Sequence, residues 1–163
     1  MGTNLKFNSA ICTSREQSER LIALGLNKET ADMMFIVLVK DFHGKDIPVA
    51  ERVYSLCTWY NETSMRVGLE ERKYIPAWSL DRLLKMMPDK ISYPTQWDSA
   101  SLRINNDSMY YLYRFFDRNG DEDTNTVGDN EAIGSHNIYD YAVSVIGFLI
   151  REGHFNKEYL REL

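Results

Sequence analysis

The clearest periodic signal lies near the C-terminus. Behind Asn137, a good helix cap, Ile138, Tyr141, Ala142, Val145, Phe148 and Leu149 form an apolar stripe, and Gly153 supplies a stop. An amphipathic helix is predicted there. Upstream, Leu102 and Ile104 alternate with polar residues, Asn105-Asn106-Asp107 carries turn chemistry, and Met109–Phe116 is dense in strand formers, which predicts a β-hairpin. Phe35–Val39 reads as a buried strand ending at Phe42-His43-Gly44. Thr13-Ser14-Arg15-Glu16 has the capping-box form with Thr13 as cap. The helix it opens is expected to run through Leu21 and Leu24 to Gly25, with a Glu16–Arg20 pair along one face. Asn27 is read as the cap of a short helix carrying Ala31, Met33 and Met34. Pro48 opens another, with Val49, Val53, Leu56, Cys57 and Tyr60 on one face. Ser79 caps a further helix, stapled by Trp78 and Leu83 and ended by Pro88. Strands and helices alternate too irregularly for a doubly wound sheet. The prediction is α+β: a single domain over residues 1–163, with a small, mainly antiparallel sheet and helices packed chiefly on one face.

Composition narrows the function classes. A chain of 163 residues has room for one core, and 44% hydrophobic with 26% charged residues is ordinary globular composition. With 19 basic against 24 acidic residues the net charge is −5, which argues against general nucleic-acid or anionic-membrane binding. That charge is concentrated: Asp117–Glu131 holds six acids and one base, so the remainder is neutral. The N-terminus lacks the basic-then-apolar pattern of a secretory leader, and the longest apolar run, Met33 to Val39, falls far short of the roughly 20 residues a membrane helix needs. Cys12 and Cys57 show no CxxC spacing and read as reduced thiols that pack as small hydrophobes. A cytoplasmic protein with no membrane span is expected.

Few residues carry legible chemistry. Asp117-Arg118-Asn119-Gly120-Asp121-Glu122-Asp123 invites a calcium reading. Aligned from Asp117, however, Glu122 stands where an EF-hand loop needs glycine, and Gly128 stands where it needs glutamate. An exposed acidic loop is the better reading. His43, His136 and His154 are too scattered to suggest a metal site, and no cofactor or nucleotide fingerprint is present. Cys12 precedes a helix start, where packing is a better expectation than nucleophilic attack. Trp78 and Trp97 read as core or rim. The hairpin is more informative. If Leu102, Ile104, Met109, Tyr111, Tyr113 and Phe115 face the helices, the pleat sends Arg103, Tyr110, Leu112, Arg114 and Phe116 outward. Arg103, Tyr110, Arg114 and Phe116 are therefore the candidate binding residues: arginines among aromatics suit a protein partner or a nucleotide-like ligand.

Ile75-Pro76-Ala77-Trp78-Ser79-Leu80, followed by Leu83-Leu84 and Met87-Pro88, resembles the central signature of a family of short, uncharacterised phage, prophage and mobile-element proteins of gut anaerobes. Cys12-Thr13-Ser14, Glu16-Gln17-Ser18 and Thr30-Ala31-Asp32-Met33 resemble its opening, and Asn137, Asp140 and Ala142 its close. The chain departs from the pattern at Ile138-Tyr139-Asp140-Tyr141, where the family has Pro and then Val-Asp-Ala. The resemblance implies a phage-type accessory protein of the host cytoplasm and brings no catalytic residues. The expected function is non-enzymatic binding of a host protein or a small nucleotide-like ligand. The rivals are a small hydrolase or transferase with a dispersed site, and a self-assembling structural component.

Overall fold

The computed structural model describes residues 10–40, 43, 46–55, 73–93, 97–106, 108–129 and 131–161. They form α1 (Arg15–Ala23), β1 (Met33–Lys40), β2 (Asp46–Ser55), β3 (Lys73–Ala77), α2 (Leu80–Met86), β4 (Lys90–Tyr93), β5 (Trp97–Ile104), β6 (Met109–Phe116), β7 (Glu122–Val127) and α3 (Ile138–Arg151). The architecture is α+β, and all described strand pairs are antiparallel. The strands divide into two sheets where the sequence suggested one: a three-stranded sheet in the order β2-β1-β3 and a four-stranded sheet in the order β4-β5-β6-β7.

Helix α1 begins one residue later than expected. Ser14 is the cap, accepting from the Gln17 amide, while the Gln17 side chain accepts from the Ser14 amide. Thr13 is unavailable because it is buried and bonded elsewhere. The expected Glu16–Arg20 pair is replaced by Arg15–Glu19 at 3.0 Å, and Arg20 reaches instead to Glu131. Asn27 caps only the 3-10 turn Lys28–Thr30, after which Met33 and Met34 enter β1 rather than a helix. The helix expected from Pro48 is the strand β2. Its alternating Ile47, Val49 and Val53 fit a strand as well as a helix, and β1 offers the hydrogen bonds that settle the choice. Pro48 is tolerated because β2 lies at an edge and pairs beside a register shift. Leu56, Cys57 and Tyr60 lie outside the described residues.

The main core forms around α3. Nine of its residues are buried, Tyr139, Val143 and Ile146 among them, so the helix is covered well beyond the expected stripe. It packs on α1, α2 and β6. Leu21, Leu26, Trp78, Leu83, Met109, Tyr111, Ile146 and Leu149 fill the space at 2% exposure or less. Trp78 and Leu83 thus sit together as a staple expects, and Ser79 caps α2 by accepting from the Arg82 amide. A smaller cluster of Cys12, Phe35 and Ala77, with Met33 and Ile75, lies under the three-stranded sheet. Near the C-terminus, Asn27 donates to the Tyr159 carbonyl and Arg161 to that of Gly25, tying the end of the chain to the end of α1.

Candidate functional site

Strand register fixes the two faces of the β5–β6–β7 sheet. Met109 and Tyr111 are fully buried on the helix side, with Leu102 opposite Tyr111, so the alternate residues of each strand point away. Arg103 pairs with Tyr110, Leu112 with Thr126, Arg114 with Thr124 and Phe116 with Glu122. The four residues singled out from sequence therefore share the outward face. Phe116 is 66% exposed, Arg103 and Arg114 are exposed, and Tyr110 is half-buried, its hydroxyl accepting from Asn105 Nδ2 at 3.3 Å. The arginines are not equivalent. Arg114 is paired with Glu122 at 3.1 Å, whereas Arg103 meets no carboxylate among the described residues. Four residues along β6 separate the row of Arg103 from Arg114, about 13 Å at strand rise. One inward residue departs from the expected burial: Ile104, opposite Met109, is 47% exposed at the end of the hairpin.

The acidic segment is part turn and part strand. Asp117–Asp121 forms a turn, Glu122 and Asp123 open β7, and Glu131 begins a further turn. The Asp117 carboxylate accepts from the amides of Asn119 at 2.8 Å and Asp121 at 2.9 Å, and from Asn119 Nδ2 at 3.3 Å. It caps its own turn and presents no ordered ligand set to a cation. The amide bonds, that of Asp121 first, hold its pKa below the usual 3.8. A contribution of this kind is present above the unfolded pKa and is lost as pH falls through the folded value. The Asn119 amide resonance, whose residue has no carboxyl group of its own, is therefore expected to show its bond to Asp117 lost only below the pH at which an ordinary Asp titrates. Asp117→Asn should abolish the transition.

The candidate reactive groups are withdrawn from solvent. Burial, with the nearby charge of Asp32, pushes the Cys12 thiol up to about 11, so it is protonated at neutral pH and a poor nucleophile. Burial also raises Tyr111, whose hydroxyl donates to the Pro88 carbonyl at 2.5 Å, and Tyr139, whose hydroxyl donates to Ala10 at 3.4 Å. Among the described residues no group of three His, Cys, Asp or Glu side chains is placed to hold a metal ion. Trp97 opens β5, and its side chain lies outside the described set.

What the sequence alone does not reveal is where the signature residues meet. Thr13 and Trp78 exchange bonds: the Thr13 amide donates to the Trp78 carbonyl at 2.9 Å, and the Trp78 amide donates to Thr13 Oγ1 at 3.1 Å. Thr13 Oγ1 also bonds Ser18 Oγ at 2.7 Å, with both residues fully buried. Trp78 Nε1 donates to Thr30 Oγ1 at 3.0 Å. Asp32 accepts from the Ser79 amide at 2.8 Å and from Ser79 Oγ at 2.5 Å. Gln17 Nε2 donates to Asp140 Oδ1 at 2.6 Å. Segments as far as 123 residues apart are thus joined by the same few residues, and no buried side-chain polar atom among the described residues lacks a partner. Satisfied networks of this sort specify one packing arrangement. No family model, no curated protein and no solved structure matches the chain.

Proposed function

We propose that the protein is a non-enzymatic binding module that recognises a protein partner through the outward face of the β5–β6–β7 sheet. The observation that carries this reading is Phe116, 66% exposed on the same face as Arg103, Tyr110 and Arg114, while the helices pack on the opposite side. Exposed aromatic and arginine side chains are the residues most enriched where proteins meet. Arg103 and Arg114 stand about 13 Å apart along the strands with Phe116 beyond them, an extended patch of the kind a protein surface covers. The resemblance of the signature to phage accessory proteins supports a partner in the bacterial host cytoplasm. Replacing Phe116 with photoreactive benzoyl-phenylalanine is expected to give one dominant adduct of discrete mass in bacterial lysate. The same probe at Glu152, exposed at the far end of α3, should give none. Equal labelling from both positions, or none from either, would overturn the assignment.

A further inference from the structure

The four-stranded sheet ends on β7, and among the described residues no strand pairs with its outer side. Which backbone groups face that side follows from the register. The Asn105 amide donates to the Ser108 carbonyl across the β5–β6 turn, so Tyr110 and Leu112 turn their backbone groups to β5, while Tyr111, Tyr113 and Phe115 turn theirs to β7. Their partners Val127, Asn125 and Asp123 bond inward in return, a row that the Asp117 amide continues by donating to the Asp121 carbonyl. The amides and carbonyls of Glu122, Thr124 and Thr126 are therefore left on the outer side, along a strand exposed from Glu122 to Asn125.

An open row of this kind is a template for a further strand. Here it is filled from within. The Thr124 amide donates to Asp123 Oδ1 at 2.7 Å, and the Thr126 amide donates to Asn125 Oδ1 at 2.8 Å. Asn125 is itself held, its Nδ2 donating to the Tyr113 hydroxyl of β6 at 3.1 Å. Just past the strand, the Gly128 carbonyl accepts from Ser144 Oγ of α3 at 2.7 Å. Charge alone would not close this edge. In an antiparallel pairing of two copies centred on Thr124, each Asp123 would face an Asn125 and each Glu122 a Thr126, so no like charges would stand directly opposite.

We propose that β7 is a self-closed edge, in which Asp123 and Asn125 occupy the outward amides of Thr124 and Thr126 and so keep a second copy of this chain from pairing on the sheet. A strand arriving from that copy must displace both side chains before its carbonyls reach the amides, and each bond it then makes only replaces one that was lost. The device acts at the rim of the sheet and does not depend on what the outward face binds.

The test is sedimentation equilibrium of the full chain beside its Asp123→Val, Asn125→Val double variant, whose new side chains are strand formers that cannot cap an amide. The double variant is expected to self-associate at least about tenfold more tightly than the parent. Adding Thr124→Pro, which removes the central outward amide at an edge position that tolerates proline, should return it to the parent's value. Unchanged association of the double variant, or tight association that survives Thr124→Pro, would overturn the proposal. In the parent itself, the Thr124 and Thr126 amide resonances should move less with temperature than that of Glu122, which has no such cap among the described residues. Equal temperature coefficients would overturn the proposal whatever the variants do.

Discussion

Replacing Trp78 with alanine is expected to lower stability by about 3–5 kcal/mol, the usual cost of emptying a fully buried aromatic site. In a chain of this size that corresponds to a fall in melting temperature of roughly 10–15 °C. The loss is large against a total of about 5–15 kcal/mol because two functions vanish together. The indole fills the core between α2 and α3, and its Nε1 proton holds Thr30, hence the 3-10 turn that leads into β1. Trp78→Phe separates them: the ring volume is largely kept and one hydrogen bond is lost, so the cost should drop to about 1–2 kcal/mol. Thermal unfolding followed by circular dichroism checks both. An alanine variant melting within a degree or two of the parent would refute the role given to this residue.

The second large effect is expected at Asp32. Its carboxylate takes both the amide and the hydroxyl proton of Ser79. By accepting that proton it also turns the hydroxyl lone pairs toward the Arg82 amide, so one carboxylate anchors the segment before β1 and orients the cap of α2. Charge-assisted bonds of this kind contribute about 1.5–3 kcal/mol, and Asp32→Ala should lose that amount. Ser79→Ala, which removes both the cap and the hydroxyl bond to Asp32, should cost about 2 kcal/mol. The two changes should be clearly non-additive in a double-mutant cycle, because each removes the bond the other relies on. Additivity within experimental error would show that the pair is a bystander.

These residues also mark where sequence reading succeeds and fails. Local patterns locate α3, the cap and staple of α2, and the β5–β6 hairpin, because cap, turn and periodicity are all encoded within a few positions. The two-residue period of a strand then suffices to put Arg103, Tyr110, Arg114 and Phe116 on one face, as the register bears out. The start of α1 is ambiguous because Thr13-Ser14-Arg15-Glu16 and Ser14-Arg15-Glu16-Gln17 both have capping-box form. The decision belongs to Trp78, 65 residues away, which occupies the Thr13 hydroxyl. Pro48–Val53 likewise fits two periods, and only the pairing with β1 selects the strand. The bond between Gln17 and Asp140 is invisible for a related reason: both belong to the signature, but 123 positions separate them and nothing local says that they meet.

A division of labour follows from this arrangement. Residues of the signature close the core, whereas Arg103, Arg114 and Phe116 lie exposed on the sheet face. The Arg114–Glu122 pair is exposed, so its loss costs at most about 1 kcal/mol, and Arg103 and Phe116 contribute less to packing than any core residue. The most direct measurement is therefore the set of proteins captured from bacterial lysate by the triple variant Arg103→Ala, Arg114→Ala, Phe116→Ala, with its melting temperature recorded on the same preparation. The account predicts a melting temperature within about 3 °C of the parent and loss of the captured partner. Undiminished capture by a folded triple variant, or a collapse in stability as deep as that of Trp78→Ala, would contradict it.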